Sequence, residues 1–445
     1  MRLRVVVVLL ASFVLASVGL TSVVLVGASS VHAQVLPVPP GWQLERAVLI
    51  SRHGVRAPVE SNAELDQHSA SPWPLWPVPP GTLTARGFEL MRYMGTWYRV
   101  LYGGRGLVQS DDCPPTGTVG VWTDSDQRSR ESGVALMRGM YPRCMQVILH
   151  YQADATPDPL FNPQPTASCP MDPAATRNAI LARIGGNFTS VTREFSPELT
   201  AMHAVLCPPG VAGGGRCESP AALSTLEVRP GGRASISGPI GYGSTAAEAF
   251  LMEAAEGLPP NQVAWGRLRD DAQLVQLMQI EQLNVDLTQR TLTIARQKGS
   301  NLLAQVVDTL QDGHQFPGIG RRPYPVRFAL LVAHEENISY LQSLLKLGWQ
   351  IPGFPQYAAP PGGALAFELY REVQSGLHYV RVAYYAQTLL QMRDGVELNL
   401  GQPPGMDSVQ VPACAAYARD KACPLSRFLE IAKQEIEPAC VTIKP

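Results

Sequence analysis

The sequence predicts a mixed α/β protein with a smaller α-helical domain inserted in it, and three observations carry that reading. Short, wholly apolar runs recur in the first third and the last third of the chain, helical patterns lie between them, and from about Cys169 to Leu303 the periodicity is mainly helical. The division that follows is a leader at 1–33, an α/β domain in two pieces at 34–160 and 295–445, and the inserted helical domain at 161–294.

The elements can be justified in order. Ala47-Val48-Leu49-Ile50 is apolar at every position, as a strand in the middle of a covered sheet must be, and it ends at Ser51-Arg52-His53-Gly54. Phe88, Met91, Met94, Trp97 and Leu101 then share one face of a helix. Val119 to Thr123 and Phe328 to Ala333 repeat the buried-strand pattern. In the middle region the loop from Pro208-Pro209-Gly210 to Gly213-Gly214-Gly215 interrupts the helices, and Asp271 to Lys298 carries Leu274, Leu277, Ile280, Leu283 and Leu287 at steps of three and four. Ala364 to Leu369 and Tyr379 to Tyr385, joined by a turn containing Ser375-Gly376, read as a hairpin.

No Asp, Glu, Lys or Arg occurs from Val5 to Leu44, and Arg2 and Arg4 precede the apolar run, which is the pattern of an export signal. Val31-His32-Ala33 offers a cleavage point after Ala33; the alternative is an uncleaved anchor, since the run to about Val26 is long enough to span a bilayer. Either way the expected location is periplasmic or secreted, with no membrane contact after cleavage. All eight cysteines lie beyond the leader, an even count that reads as disulfides in an exported chain. Eight cysteines allow 105 pairings; local spacing suggests Cys207 with Cys217 and Cys414 with Cys423. No CxxC pair is present to suggest zinc.

The 445 residues carry a net charge of −1 and are only 16% charged, so no general field grips nucleic acid. Five of the 36 cations are lysine and 31 are arginine, the side chain that holds an anion in a fixed fork. Arg52-His53-Gly54-Val55-Arg56-Ala57-Pro58 follows the first strand, where a rigid element aims side chains into a loop. Two arginines bracketing a histidine suit phosphoryl transfer: guanidinium forks hold the equatorial oxygens while an imidazole nitrogen attacks phosphorus. Asp124 to Arg130 brings more arginine to a helix start, and His334-Glu335 sets a second imidazole beside a carboxyl group, a phosphate-oxygen donor and a general acid. A zinc-protease motif would need histidine where Ile338 stands, and no G-x-S-x-G elbow exists.

With these residues the chain resembles the histidine acid phosphatases, the branch of the histidine phosphatase superfamily that includes bacterial periplasmic phytases and glucose-1-phosphatases. Arg52 to Pro58 matches the R-H-G-x-R-x-P signature, and Leu83-Thr84-Ala85-Arg86-Gly87, Gln127-Arg128, Trp265-Gly266-Arg267, Pro361-Gly362-Gly363 and Gln391-Met392-Arg393 extend the match over nearly the whole mature chain. The resemblance implies a mixed central β-sheet flanked by helices, a smaller α domain, and an active site between them. It implies His53 as nucleophile, Arg52, Arg56 and Arg128 clamping the phosphate, His334 donating to it, and Glu335 as proton donor to the leaving group. It also implies the pairs Cys113–Cys144, Cys169–Cys440, Cys207–Cys217 and Cys414–Cys423, and substrate contacts from Glu248 and Arg296 on the helical side.

Two departures bear on substrate. Glu335 stands where bacterial phytases usually have aspartate, and Val59-Glu60 where they place threonine and lysine, so Glu60 would repel the further phosphates of an inositol polyphosphate. The expectation is thus an exported phosphomonoesterase, with phytase and sugar-phosphate phosphatase as alternatives. A non-catalytic phosphate-binding protein would need the arginines but not His53, His334 and Glu335. No cofactor or metal is called for, because arginines supply the positive charge. The expected partner is a small phosphomonoester, with a monomer favoured.

Overall fold

The computed structural model describes residues 37–442 apart from 109–112, 116, 145–148, 153–156, 212–216, 313–315, 319–320 and 325. The leader, with its cleavage point, and the glycine run at 213–215 lie outside the described residues. The elements that position the site are β1 (Trp42–Arg52), α1 (Ala85–Gly104), β2 (Val119–Thr123), α2 (Gln127–Met140), α3 (Pro239–Ala255), α4 (Asp271–Thr288) and α5 (Leu292–Asp312). They continue as β3 (Phe328–Ala333), α6 (Glu335–Leu345), β4 (Ala364–Glu372), β5 (His378–Ala386), β6 (Gly405–Val409) and α7 (Leu425–Glu435).

The strands form a mixed sheet in the order β6-β5-β4-β1-β3-β2, with the two-residue strand Cys423–Pro424 also paired to β5. β1, β3 and β2 run parallel; β4, β5 and β6 are antiparallel to their neighbours. The wholly apolar runs are explained by cover on both faces. Ala47 and Leu49 point into a cluster with Met94, Trp97 and Leu136 of α1 and α2, while Val48 and Ile50 join the cluster containing Leu302 of α5, Ile338 of α6 and Phe428 of α7. Each buried Val, Leu, Ile or Met side chain contributes about 1.5–3 kcal/mol by leaving water. α1 and α2 cross at backbone distance, since a Cβ on Gly95 would come within 2.0 Å of the Leu136 carbonyl oxygen.

Register matters most for function. Arg52 pairs with Ala333 and Thr123 with Val332, so β1, β2 and β3 end at one level. The next residues on each strand are His53, Asp124 and His334. The amides of His53 and Asp124 donate to the carbonyls of Ala333 and Val332, both at 2.9 Å, fixing the first step beyond the sheet.

The helical middle differs from the sequence reading in two places. Thr225–Arg229 and Arg233–Ser237 form a small antiparallel hairpin among the helices. The Asp271 to Lys298 pattern is two helices, broken at 289–291. Thr288 and Thr291 turn their hydroxyls onto the carbonyls of Asn284 and Leu287, both at 2.7 Å, a local competition with the helix ladder that β-branched hydroxyl residues favour. Disulfides join Cys113–Cys144, Cys169–Cys440, Cys207–Cys217 and Cys414–Cys423. Among the described residues, no helix is long and apolar enough to cross a membrane.

Candidate active site

His53 is 3% exposed, and its ring is oriented by its own neighbour. Nδ1 lies 2.9 Å from the Gly54 carbonyl oxygen, which can only accept, so Nδ1 carries the proton and Nε2 keeps its lone pair. Burial, followed by the charges of Arg52, Arg56, His334 and Arg128, holds the His53 pKa well below the ordinary histidine value. The neutral imidazole is therefore favoured over the charged one. The turn that follows is tight: the Gly54 amide donates to Ser132 Oγ at 2.9 Å, and a Cβ on Gly54 would meet the Gly87 carbonyl oxygen at 2.8 Å.

Arg52 and Arg56 converge on one acceptor. Their Nη2 atoms donate to Oε1 of Glu248 at 2.5 and 2.8 Å, and Arg52 Nη1 also donates to the Ala359 carbonyl at 2.7 Å. Burial pushes the Glu248 carboxyl up, but Arg56 and Arg52 outweigh it and hold its pKa below the usual glutamate value. An anionic oxygen between two guanidinium forks is the arrangement a phosphoryl oxygen would use.

The second imidazole belongs to His334, the residue before α6. Its Nε2 lies 2.7 Å from Asp124 Oδ2 and its Nδ1 lies 3.5 Å from Arg128 Nη2. The His53 and His334 rings face each other edge-on, with centroids 5.5 Å apart. Arg128, in the first turn of α2, is braced by Asp126 at 2.5 Å. One residue beyond His334, Glu335 approaches Arg52 Nη1 at 3.7 Å. Burial pushes the Glu335 carboxyl up; Arg52 pulls it down, Glu248 pushes it up, and the balance lies above the usual glutamate value.

Arg52, His53, Arg56, Arg128, His334, Glu335 and Glu248 are thus gathered at one place. Glu60 stands at its edge, half-buried, in a cavity of about 390 Å³. Arg296 is a correction: it pairs with Glu435 at 2.9 Å and borders a separate cavity beside Cys169 and Cys440. Arg290, at the helix break at 289–291, is the arginine that reaches the site; it bonds Gln282 Oε1 and the Tyr357 carbonyl, both at 2.9 Å, and its charge acts on Glu335.

Sequence reasoning also did not single out Asp124, which bonds His334, or Glu281, a buried carboxylate grouped with Glu248 and Glu335. Asp124 had a signal, its place directly after β2. Glu281 had none, being one polar residue in an amphipathic helix. Among the described residues, two groups have the donor types for a cation, Asp124 with Asp126 and His334, and Glu248 with Glu281 and Glu335, each with ligand atoms within 4.8 Å of one another. Both stand against arginines that already supply positive charge.

A family model of the histidine phosphatase superfamily, branch 2, matches residues 43–385. The chain belongs to that superfamily. Phytase AppA of Escherichia coli is 33% identical over 413 residues, covering 90% of this chain and 94% of the relative. A glucose-1-phosphatase of Salmonella typhimurium is 28% identical over 404 residues, with the same coverage of 90% and 94%. Among solved structures, Hafnia alvei phytase in complex with tartrate superimposes with a TM-score of 0.84 at 33% identity, covering 91% of this chain and 100% of that chain. Phytase from Citrobacter braakii gives a TM-score of 0.83 at 34% identity, covering 90% and 100%. This histidine acid phosphatase is a phosphomonoesterase with the mixed-sheet fold that its sequence predicts.

Proposed function

We propose that this histidine acid phosphatase is exported and hydrolyses phosphomonoesters in two steps through a phosphohistidine on Nε2 of His53, with Glu335 as proton donor. The observation that carries the reading is the bond from His53 Nδ1 to the Gly54 carbonyl, which leaves Nε2 unprotonated among three arginines and His334. In the first step Nε2 attacks phosphorus in line, the P–O bond to the alcohol breaks, and Glu335 passes its proton to the departing oxygen. Arg52, Arg56, Arg128 and His334 stabilise the charge on the equatorial oxygens, with Asp124 orienting His334. In the second step water attacks the phosphohistidine, Glu335 takes its proton, and phosphate leaves. A carboxyl group pushed up by burial and a histidine held neutral both favour acidic conditions.

We place the leaving group on the Glu60 side of the site, where Glu60 lies within reach of the charges of Glu248 and Arg56, and the lining there narrows the substrate. The cavity that Glu60 borders is lined by Glu60, Glu64 and Glu218 together with His68, Trp73 and Tyr242, and His68 stacks on Tyr242 with centroids 4.8 Å apart. Aromatic faces with carboxylates suit an uncharged polyol such as a sugar, and oppose the clustered phosphates of phytate. Replacement of His53 by alanine is expected to abolish turnover with the fold intact, and rapid quenching of the wild type should trap an acid-labile, alkali-stable phosphoenzyme. Retained turnover in the variant would remove the nucleophile assignment. For the substrate, initial rates on glucose 1-phosphate, p-nitrophenyl phosphate and phytate decide, and a preference for phytate counts against the acidic cavity as a filter.

A further inference from the structure

We propose that Glu281 is a positioning residue that shares one proton with Glu335 and so sets how far toward neutral pH the proton donor stays loaded. The proposal rests on Glu335 being that donor. Glu281 comes from the middle of α4, is 4% exposed, and places a carboxylate oxygen within 4.8 Å of those of Glu335 and Glu248. Glu248 is held ionised by Arg52 and Arg56, which leaves Glu281 and Glu335 as the pair without two forks of their own. Two buried carboxyl groups at that range cannot both ionise cheaply, so the first proton leaves the pair readily and the second is retained.

The other groups facing the pair agree with this. From β1 come Arg52 and, beyond it, Arg56; from α3 comes Glu248; from the turn after α4 comes Arg290; from α6 comes Glu336; from β5 comes Tyr384. Arg52 and Arg290 favour an ionised Glu335, Glu248 and Glu336 oppose it, and the charge of Glu335 in turn opposes ionisation of Glu281. Burial, with Glu335 and Glu248 next, drives Glu281 far above the usual glutamate value. In the catalytic cycle the pair holds one proton in the free enzyme. Glu335 gives it to the alkoxide, and the pair recovers it from the attacking water, so the proton count closes with no other donor.

The test is the pH profile of kcat/KM on an alkyl phosphate, whose poor leaving group needs the acid. Glu281→Gln removes the repulsion that keeps the second proton on, and its basic limb should move to lower pH by about one unit, a roughly tenfold loss above the limb. Glu281→Met, apolar and of similar length, should give the same shift and serves if the amide variant does not fold. Glu281→Asp, which keeps the carboxyl group, should leave the limb near the wild-type position. A lowered rate with an unmoved limb in both carboxyl-free variants would mean a structural role only and overturns the proposal. Glu335→Gln separates the two ideas: if the limb survives there, the donor assignment itself fails.

Discussion

Two buried clusters in this molecule use the same parts for opposite ends. At the sheet end, Arg52 and Arg56 enclose Glu248; in the body of the sheet, Arg105 and Arg381 enclose Glu368 at 2.8 and 2.9 Å. Glu368 is completely buried, and the hydroxyls of Tyr102, Tyr370 and Tyr385 complete its shell at 3.1, 2.8 and 3.1 Å. Every acceptor position there is filled from inside the protein. Glu248 is 22% exposed at its side chain and accepts from Arg52 and Arg56, with the charge of Arg128 also acting on it. A closed shell of donors makes a structural ion cluster; an excess of donors over resident acceptors makes an anion site.

The largest expected effect breaks the closed cluster. Glu368→Gln leaves Arg105 and Arg381 buried without their counter-charge, and should cost about 3–5 kcal/mol of stability, while the activity of the molecules that remain folded is unchanged. Denaturant unfolding with titration of active sites measures both. The open cluster should answer in reverse. Arg56→Ala should lower kcat/KM by about 10²–10³ through lost transition-state contact, with a shift in unfolding free energy of about 1 kcal/mol or less. A large stability loss in Arg56→Ala would erase the distinction between the clusters.

How much of this was legible in the sequence depends on how far apart the partners lie. Arg52, His53 and Arg56 sit within five residues after an unmistakable strand, and His334-Glu335 follows another, so both strand ends could be read directly. Parallel pairing of β1, β3 and β2 then turned three distant segments into neighbours. Glu368 was hidden because a lone carboxylate in an apolar strand gives no sign of arginines at 105 and 381. Glu281 was hidden because its helix repeats like any core helix. Arg296 came from the family resemblance, and Arg290 was hidden because the break at 289–291, where Thr288 and Thr291 hydroxyls bond backward, left no mark in the helical pattern.

The clusters should also differ in acid. The two arginines around Glu368 override the effect of burial and bring its pKa from 4.5 down to about 2. Because the folded value is depressed, its stabilisation is complete above about pH 4.5 and is lost as pH falls toward 2, a change of about 3 kcal/mol. Unfolding free energy of the wild type should therefore fall steeply below pH 4.5, and the slope should flatten in Glu368→Gln. An unchanged slope would show that other carboxylates carry the acid response.

The smallest effect sharpens the comparison from the opposite side. Glu253 on α3 is buried like Glu368 but has no arginine; it accepts the Ala264 amide at 2.7 Å, and burial pushes its pKa up to about 7. Here the folded value is raised, so the unfolded chain gives up the proton first, and stability declines as pH rises from about 4.5 through 7. The protonated carboxyl group is the favoured form in this burial. Glu253→Gln keeps an acceptor for Ala264 and removes the titration, but it also buries an extra amide donor that needs a partner. The variant should thus be near neutral or slightly destabilised at pH 4 and more stable than wild type by about 1–2 kcal/mol at pH 8. Thermal unfolding at the two pH values reads this crossing, and parallel curves for the two proteins would assign the buried Glu253 no part in the decline toward alkali.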